Sequence, residues 1–339
     1  MKIIVAIDSF KGCLTSVEAN AAACKGVLQK YPDAEVVQMP VSDGGEGWME
    51  AFHVAIGGEI VEVDAHDPLL RPIKACYLKK DDLAVIEMAK ASGLTLLKPE
   101  ERNPMVASTF GTGELIADAI CKECKRFIVG LGGSATSDAG MGMLNALPKN
   151  LEGLQFIIAT DVTNPLYGPL GAAHVFGPQK GATPEMVEML DEKARRFAEQ
   201  SAQQMGYDCS QNPGAGAAGG IGYAFMQYLH AESRRGIDLL LDTIDFDKFL
   251  NNTDLVITGE GASDAQTLMG KLPFGIMQRA KQQNVPTTLI AGRIADEEAL
   301  QAAGFAQVLC INPVGLPLSV AMQKEVAERN IANTVGLLV

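Results

Sequence analysis

The chain has 339 residues, 47% of them hydrophobic and 20% charged, with a net charge of −13. This is the composition of a folded globular protein of one large or two ordinary domains; its acidity argues against a nucleic-acid backbone as partner, and no apolar run approaches the roughly 20 residues of a membrane span. The seven cysteines, an odd number, argue against a disulfide framework, and the run Ile3–Ile7 is too short for a signal peptide, so a cytoplasmic protein is expected.

Lys2–Asp8 is an apolar run of the kind that parallel strands show when buried on both faces. Thr15-Ser-Val-Glu18 is a capping box that opens a helix to about Lys30. Ala34–Met39 reads as a second strand. Gly44–Ile56 reads as a second helix, with Trp48 and Phe52 four apart on one face. Glu59–Asp64 then gives a third strand and a β-α-β-α-β pattern, that of a parallel sheet in an α/β fold. Lys74–Lys79 and Leu83–Met88 form a hairpin turning at Lys80–Asp82. Gly113–Cys124 is a helix containing a Cys121/Cys124 C-x-x-C with no second pair nearby. Arg126–Val129 and Leu154–Thr160 are buried strands. Thr183 caps a helix to about Met205, with Pro184 in its first turn, and Gly219–Leu229 is a helix behind the tract Gly214–Gly222. Short apolar strands return at Asp254–Thr258, Thr287–Ala291 and Gln307–Ile311. Helices at Thr267–Gln282, Asp296–Ala303 and Ser319–Val335 separate or follow them. The pattern predicts a regular α/β domain of residues 1–71 plus 253–339, split by an inserted mixed α/β domain of residues 72–252.

The chemistry is concentrated in glycine-rich loops. Phe127-Ile-Val-Gly-Leu-Gly-Gly-Ser-Ala-Thr-Ser-Asp-Ala-Gly140 runs from an apolar strand through glycines and hydroxyl residues toward a helix, the arrangement that binds phosphate. Asp43–Gly47, Gly214–Gly222 and Gly259–Thr267 repeat the glycine richness. Gly270-Lys271-Leu272 is not a Walker loop. Gly130–Ala135 fits the loose dinucleotide pattern, but the acidic residue about 20 positions later is missing; the nearest candidate, Asp161, comes too late. Acids beside phosphate-binding loops suggest Mg²⁺, which takes one or two carboxylates with waters and phosphate oxygens. The candidates are Asp43, Glu46, Asp138, Asp161, Glu260 and Asp264. A helix N-cap is the alternative use of any one of them, Asp138 included. Asp161 is freer of that duty, because Thr163-Asn164-Pro165 rather than a helix follows it. Lys11, Lys180 and Lys271 have glycine neighbours and supply the positive side. The four histidines show no metal-ligand spacing; His66, beside Asp64 and Asp67, is the one to follow.

The segments Asp8–Gly12, Ser42–Gly47, Val85–Ala89, Glu101–Pro104, Gly111–Glu114, Gly130–Gly140, Asp161–Leu166, Phe176–Gly181, Pro213–Gly220 and Ile257–Gly261 occur in one order along nearly the whole chain. That ordered set resembles the bacterial glycerate kinases. The resemblance implies ATP- and Mg²⁺-dependent phosphorylation of D-glycerate to 2-phosphoglycerate, with 3-phosphoglycerate the other outcome. It also implies a flavodoxin-like domain built from both chain ends, with the active site in the cleft between it and the inserted domain. On this reading Asp161 is the first candidate for the proton-accepting base, Asp43 the second, and Lys11 a catalytic cation. Ser9, Gly132, Gly133, Ser134, Asn164, Lys180, Gly216, Gly219, Gln266, Thr267 and Lys271 bind substrate or phosphate, and Glu260, Asp264 and Asp138 hold the metal. This sequence departs from the family in two places. Ala262 stands where an arginine is usual, with Arg293 or Lys271 as possible substitutes, and only Pro148–Gly153 remain where the family carries a longer stretch. A dehydrogenase using NAD on a small hydroxy acid, and a non-catalytic small-molecule sensor, are the rival readings.

Overall fold

The computed structural model describes residues 1–338. Its strands, in chain order, are β1 (Lys2–Ile7), β2 (Glu35–Gln38), β3 (Glu59–His66), β4 (Pro72–Lys80), β5 (Leu83–Glu87), β6 (Arg126–Gly130), β7 (Gln155–Ala159), β8 (Glu232–Arg234), β9 (Leu255–Ser263), β10 (Thr287–Ile294) and β11 (Gln307–Cys310). They form a five-stranded sheet of order β11-β10-β9-β1-β2 and a six-stranded sheet of order β3-β4-β5-β6-β7-β8. The chain divides into two compact units: residues Met1–Asp43, Glu50–Ile56 and the C-terminal segment from Ile237 in one, Gly44–Met49 and Gly57–Gly236 in the other.

The first unit is a parallel α/β sheet made from both chain ends. The apolar run of β1 is buried on both faces, as parallel strands are. Ile3, Val5 and Ile7 pack on Ala19, Ala23 and Val27 of helix Ser16–Lys30 and on Ile331 and Val335 of helix Lys324–Gly336. Leu289 and Val308 pack on Met277 and Leu300, from helices Leu272–Gln282 and Glu297–Ala303. The predicted capping box forms: Thr15 Oγ1 accepts from the Glu18 N–H, and the Glu18 carboxylate accepts from the Thr15 N–H at 2.8 Å. Glu18 also pairs with Lys324, which ties the first helix to the last and draws the Glu18 pKa down to about 2.

The second unit is a mixed sheet. Strands β5 to β8 run parallel, while β3 and β4 pair antiparallel with each other and β4 with β5. The sequence reading placed Glu59–Asp64 beside β1 and β2; the structure instead pairs it, as β3, with β4. Asp67 makes that pairing local. Its Oδ1 accepts from the N–H groups of Leu69 and Arg71, and its own N–H donates to the Arg71 carbonyl, closing the turn from β3 into β4. The β4–β5 hairpin appears as read, with Lys80 opposite Leu83 and Asp81 at φ +54° in the turn. The core gathers Tyr77, Phe127, Phe156 and Phe225, with Phe127 and Phe156 stacked at 4.7 Å. Thr183 caps helix Pro184–Met205 as predicted. All seven cysteines are free, with Cys121 exposed and Cys124 buried. His66 bonds to Glu114 (2.9 Å) rather than to its acidic neighbours.

Candidate active site

In the parallel sheet the chain leaves β1 toward β2 on one side, and leaves β9 toward β10 and β11 on the other. Adjacent strands whose connections diverge mark the crevice where open α/β sheets bind ligands, outside the strands' carboxyl ends. A cavity of about 550 Å³ lies there. Three carboxylates face it: Asp8 just after β1, Asp43 beyond β2 and Glu260 in β9. Three cations face it as well. Lys11 sits in the tight turn closed by the Phe10–Leu14 bridge, Lys271 at the start of helix Leu272–Gln282, and Arg293 in β10. Ser9 also lines the cavity.

Burial, and then the Asp43 carboxylate, push the Asp8 carboxyl up to about 7; Glu260 adds to this, while the Ser9 N–H (2.7 Å) and Lys11 oppose it. Glu260 is held in place. One oxygen accepts from Thr267 Oγ1 (2.7 Å) and Ser263 Oγ (3.0 Å), and the other faces Lys271 Nζ at 3.7 Å. Thr267 is therefore a buried prop for Glu260 rather than a wall of the cavity. Asp264 caps the short turn Ala265–Met269 by accepting from the Gln266 N–H at 2.8 Å, and neither Asp264 nor the exposed Gln266 reaches the cavity. Arg293 lies directly across from Ala262 in the β9–β10 register. Both line the cavity, and Arg293 is exposed, so the guanidinium missing at Ala262 is available one strand away.

The remaining sequence candidates belong to the second unit, where four of the quoted loops pack on one another. Gly132 donates to the Gly44 carbonyl at 3.0 Å, and a Cβ on Gly132 would stand 2.4 Å from the Gly45 Cα. Gly219 has φ +74°, and a Cβ there would fall 1.9 Å from the Thr136 carbonyl oxygen. Gly216 donates to the Asn164 carbonyl at 2.9 Å, and Asn164 Nδ2 to the Leu170 carbonyl at 2.8 Å. The glycines at 132, 216 and 219 thus serve close backbone packing, while Gly133, at φ +74°, supplies a left-handed turn. Ser134 is buried, bonded to Thr136 Oγ1 and the Ala218 carbonyl. Lys180, expected on phosphate, is 2% exposed and donates to the Thr136 carbonyl at 2.6 Å. Burial pulls its pKa down to about 7, with Asp138 partly opposing. Asp138 accepts from the N–H and hydroxyl of Thr109 (both 2.8 Å) and from the N–H groups of Gly140 and Gly142 (both 3.1 Å). Its oxygens are committed to protein donors at the starts of helices Phe110–Cys121 and Met141–Ala146, without Asp138 being the N-cap of either. Asp161 is exposed and accepts from the Gly236 N–H at 3.2 Å. It therefore has a helix end to serve after all, at the first residue of helix Gly236–Thr243.

Sequence reasoning missed Asp8 as a site residue and the apolar part of the wall, including Phe10, Ile311, Leu318 and Met322. The signal for Asp8 was present: an acid that ends a strand buried on both faces stands at that strand's carboxyl end. The apolar residues carried no motif. Asp8, Asp43 and Glu260 are an all-oxygen donor set suited to Mg²⁺; burial first, and then the Asp43 charge, disfavour the Asp8 anion, and a bound cation would favour it. Among the described residues no three His, Cys, Asp or Glu side chains form a ready metal cage; Mg²⁺ needs only one or two carboxylates when phosphate oxygens and waters complete its shell.

The model of the Glycerate kinase family matches residues 3–149 and 147–338. The two matches meet at the loop Pro148–Gly153, where the sequence is short. A glycerate kinase of Bacillus subtilis is 40% identical over 375 aligned positions, covering 99% of this chain and 98% of the relative. The glycerate 2-kinase of Escherichia coli K12 is 39% identical, covering 88% and 86%. A crystal structure from Salmonella typhimurium LT2, described as that of a candidate glycerate kinase 2, superposes with a TM-score of 0.86 at 38% identity, covering 99% of this chain and 96% of that one. The chain belongs to the glycerate kinase family and is a phosphotransferase, which sets aside both the dehydrogenase and the sensor.

Proposed function

We infer that the protein transfers the γ-phosphoryl group of ATP to the 2-hydroxyl of D-glycerate, giving 2-phosphoglycerate. The observation that carries this is the meeting of Lys11, Lys271 and Arg293 with Asp8, Asp43 and Glu260 in one cavity at the switch point of the parallel sheet. Phosphoryl transfer asks little covalent chemistry of a protein; positioning and charge stabilisation supply most of the rate. Lys11 and Arg293 are placed to neutralise charge on the transferred group. Asp8, Asp43 and Glu260 are the residues that would hold Mg²⁺, which when bound neutralises charge on the phosphate oxygens. Glu260 also faces Lys271 Nζ at 3.7 Å, which keeps that cation beside the cavity. Asp161 is the first candidate from the sequence to accept the hydroxyl proton, although it does not line this cavity; Asp43, next in order, does. The relatives named glycerate kinase and glycerate 2-kinase support the acceptor and the position phosphorylated. The test is ADP release measured across D-glycerate, L-glycerate, glycolate and lactate. Turnover with D-glycerate that stops when Mg²⁺ is chelated supports the reading. Turnover only with another hydroxy acid would remove glycerate while keeping the kinase.

A further inference from the structure

The cavity of the first unit is too large for its charged residues alone. A three-carbon acid fills little of about 550 Å³, a volume within the roughly 300–1,000 Å³ range of pockets that enclose much larger ligands. The lining is also sorted along the sheet. Asp8, Lys11, Asp43, Glu260 and Lys271 come from β9 and the segments that follow β1, β2 and β9, whereas Ile311, Leu318 and Met322 come from the segment beyond β11. In the order β11-β10-β9-β1 the outer two strands lie three spacings apart, about 14 Å at roughly 4.8 Å each, and Met322 reaches back from beyond β11 to Gly12, beside Lys11. Arg293, in β10, stands between the outer two strands. The apolar end is uncovered at its rim, where Leu318 is 72% and Met322 42% exposed, while Ile311 and Phe10 beneath are buried in the core. The floor between the ends is kept low by glycines. A Cβ on Gly261 would meet nothing closer than 3.8 Å, and one on Gly12 would touch only Met322 Cε, at 3.5 Å. A polar group stands beside the apolar wall with its orientation fixed. Asn312 Nδ2 donates to the Gly292 carbonyl (2.7 Å) and its Oδ1 accepts from Asn330 Nδ2 (3.0 Å), which leaves one N–H of the amide for a ligand.

A ligand that matches is amphipathic and elongated, with a flat apolar head and an anionic tail. We propose that the nucleoside half of the nucleoside triphosphate binds against the exposed Leu318 and Met322 side chains, with its phosphates running past Arg293 toward Lys11. This rests on the kinase reading and adds where the donor sits, on which unit and in which direction. The first unit then carries the phosphoryl donor on its own residues, and base recognition depends on a segment that has no glycine motif.

The test is binding of a fluorescent ribose-modified ATP to the full-length protein, displaced by ATP or by inorganic tripolyphosphate. Leu318 is on the rim, so Leu318→Asp leaves the fold intact, a point checked by circular dichroism. Leu318→Asp is expected to weaken ATP about tenfold or more while leaving tripolyphosphate within about twofold, as loss of an apolar contact would. Arg293→Ala is expected to weaken both. Cys13 lines the same cavity, and saturating ATP is expected to slow its alkylation at least about fivefold without protecting exposed Cys121. Unchanged ATP affinity in folded Leu318→Asp, or an unprotected Cys13 at saturating ATP, would overturn the proposal. ATP-dependent turnover in that same preparation would show that the kinase reading survives its failure.

Discussion

In the first unit the burial of Asp8 works against stability. Its carboxyl titrates near 7 in the fold instead of 3.8, because burial and Asp43 disfavour the anion. The folded state therefore holds this proton more tightly than the unfolded chain, and the group weakens folding as pH rises from about 4 to about 7. Asn keeps the size and can still accept from the Ser9 N–H. Asp8→Asn should raise metal-free stability by about 1–3 kcal/mol at about pH 8 and by little near pH 4, while activity falls at least a hundredfold. Urea denaturation at both pH values measures the gap; a gap independent of pH would refute the account of Asp8. Asp161→Asn should lower kcat by about 10²–10⁴ if it is the base. Rescue by added Mg²⁺ would make it a metal ligand instead, and near-normal kcat would pass the base role to Asp43. Residue types alone did not separate these uses. The sequence shows an acid in a glycine loop for Asp138, Asp161 and Glu260 alike, whereas the partners that distinguish them, Thr109, Gly236 and Thr267, are assigned only by the fold.

At the scale of elements, local signals were legible and pairing was not. The capping box at Thr15, the cap at Thr183 and the hairpin at Asp81–Asp82 depend on neighbours in sequence, and all three form. The partner of β3 is a tertiary choice. Even so, Glu59-Ile-Val-Glu-Val-Asp-Ala-His66 alternates in burial where β1 is buried throughout. A strand covered on one face belongs in an antiparallel pair more readily than in the middle of a parallel sheet. The glycine loops of the second unit are ambiguous in sequence for a related reason. A glycine that lets a ligand approach and one that lets another backbone approach look the same in sequence. Gly219 discriminates between them. Ala there must adopt a left-handed backbone and place its Cβ on the Thr136 carbonyl. Gly219→Ala should cost roughly 3 kcal/mol or more, read as a lowered denaturation midpoint in the absence of any ligand. An unchanged midpoint with impaired substrate binding would return Gly219 to the binding site. Lys180→Met tests the same packing: it leaves the Thr136 carbonyl without its partner and should lose about 1–3 kcal/mol.

At the scale of the whole molecule, alternation of strands and helices foretold an α/β sheet built from both chain ends, and the structure has it. The ordered loops identified the family, which the matches along residues 3–338 bear out. The apolar half of the cavity stayed hidden, since Ile311, Leu318 and Met322 become neighbours of Phe10 only when β11 takes its place three strands from β1. Carrying a net charge of −13 and, on the proposed reaction, joining two anions, the protein should depend steeply on the divalent cation. Removing Mg²⁺ should abolish turnover while leaving the melting temperature within about a degree or two, since the acids near Asp8 form no closed cage. The most direct test of the central claim is the ³¹P spectrum of the product formed from ATP and D-glycerate. The account predicts stoichiometric ADP and 2-phosphoglycerate, with the phosphorus coupled to the single proton on C2; a product coupled to the two C3 protons, or ADP formed without any phosphorylated glycerate, would contradict it.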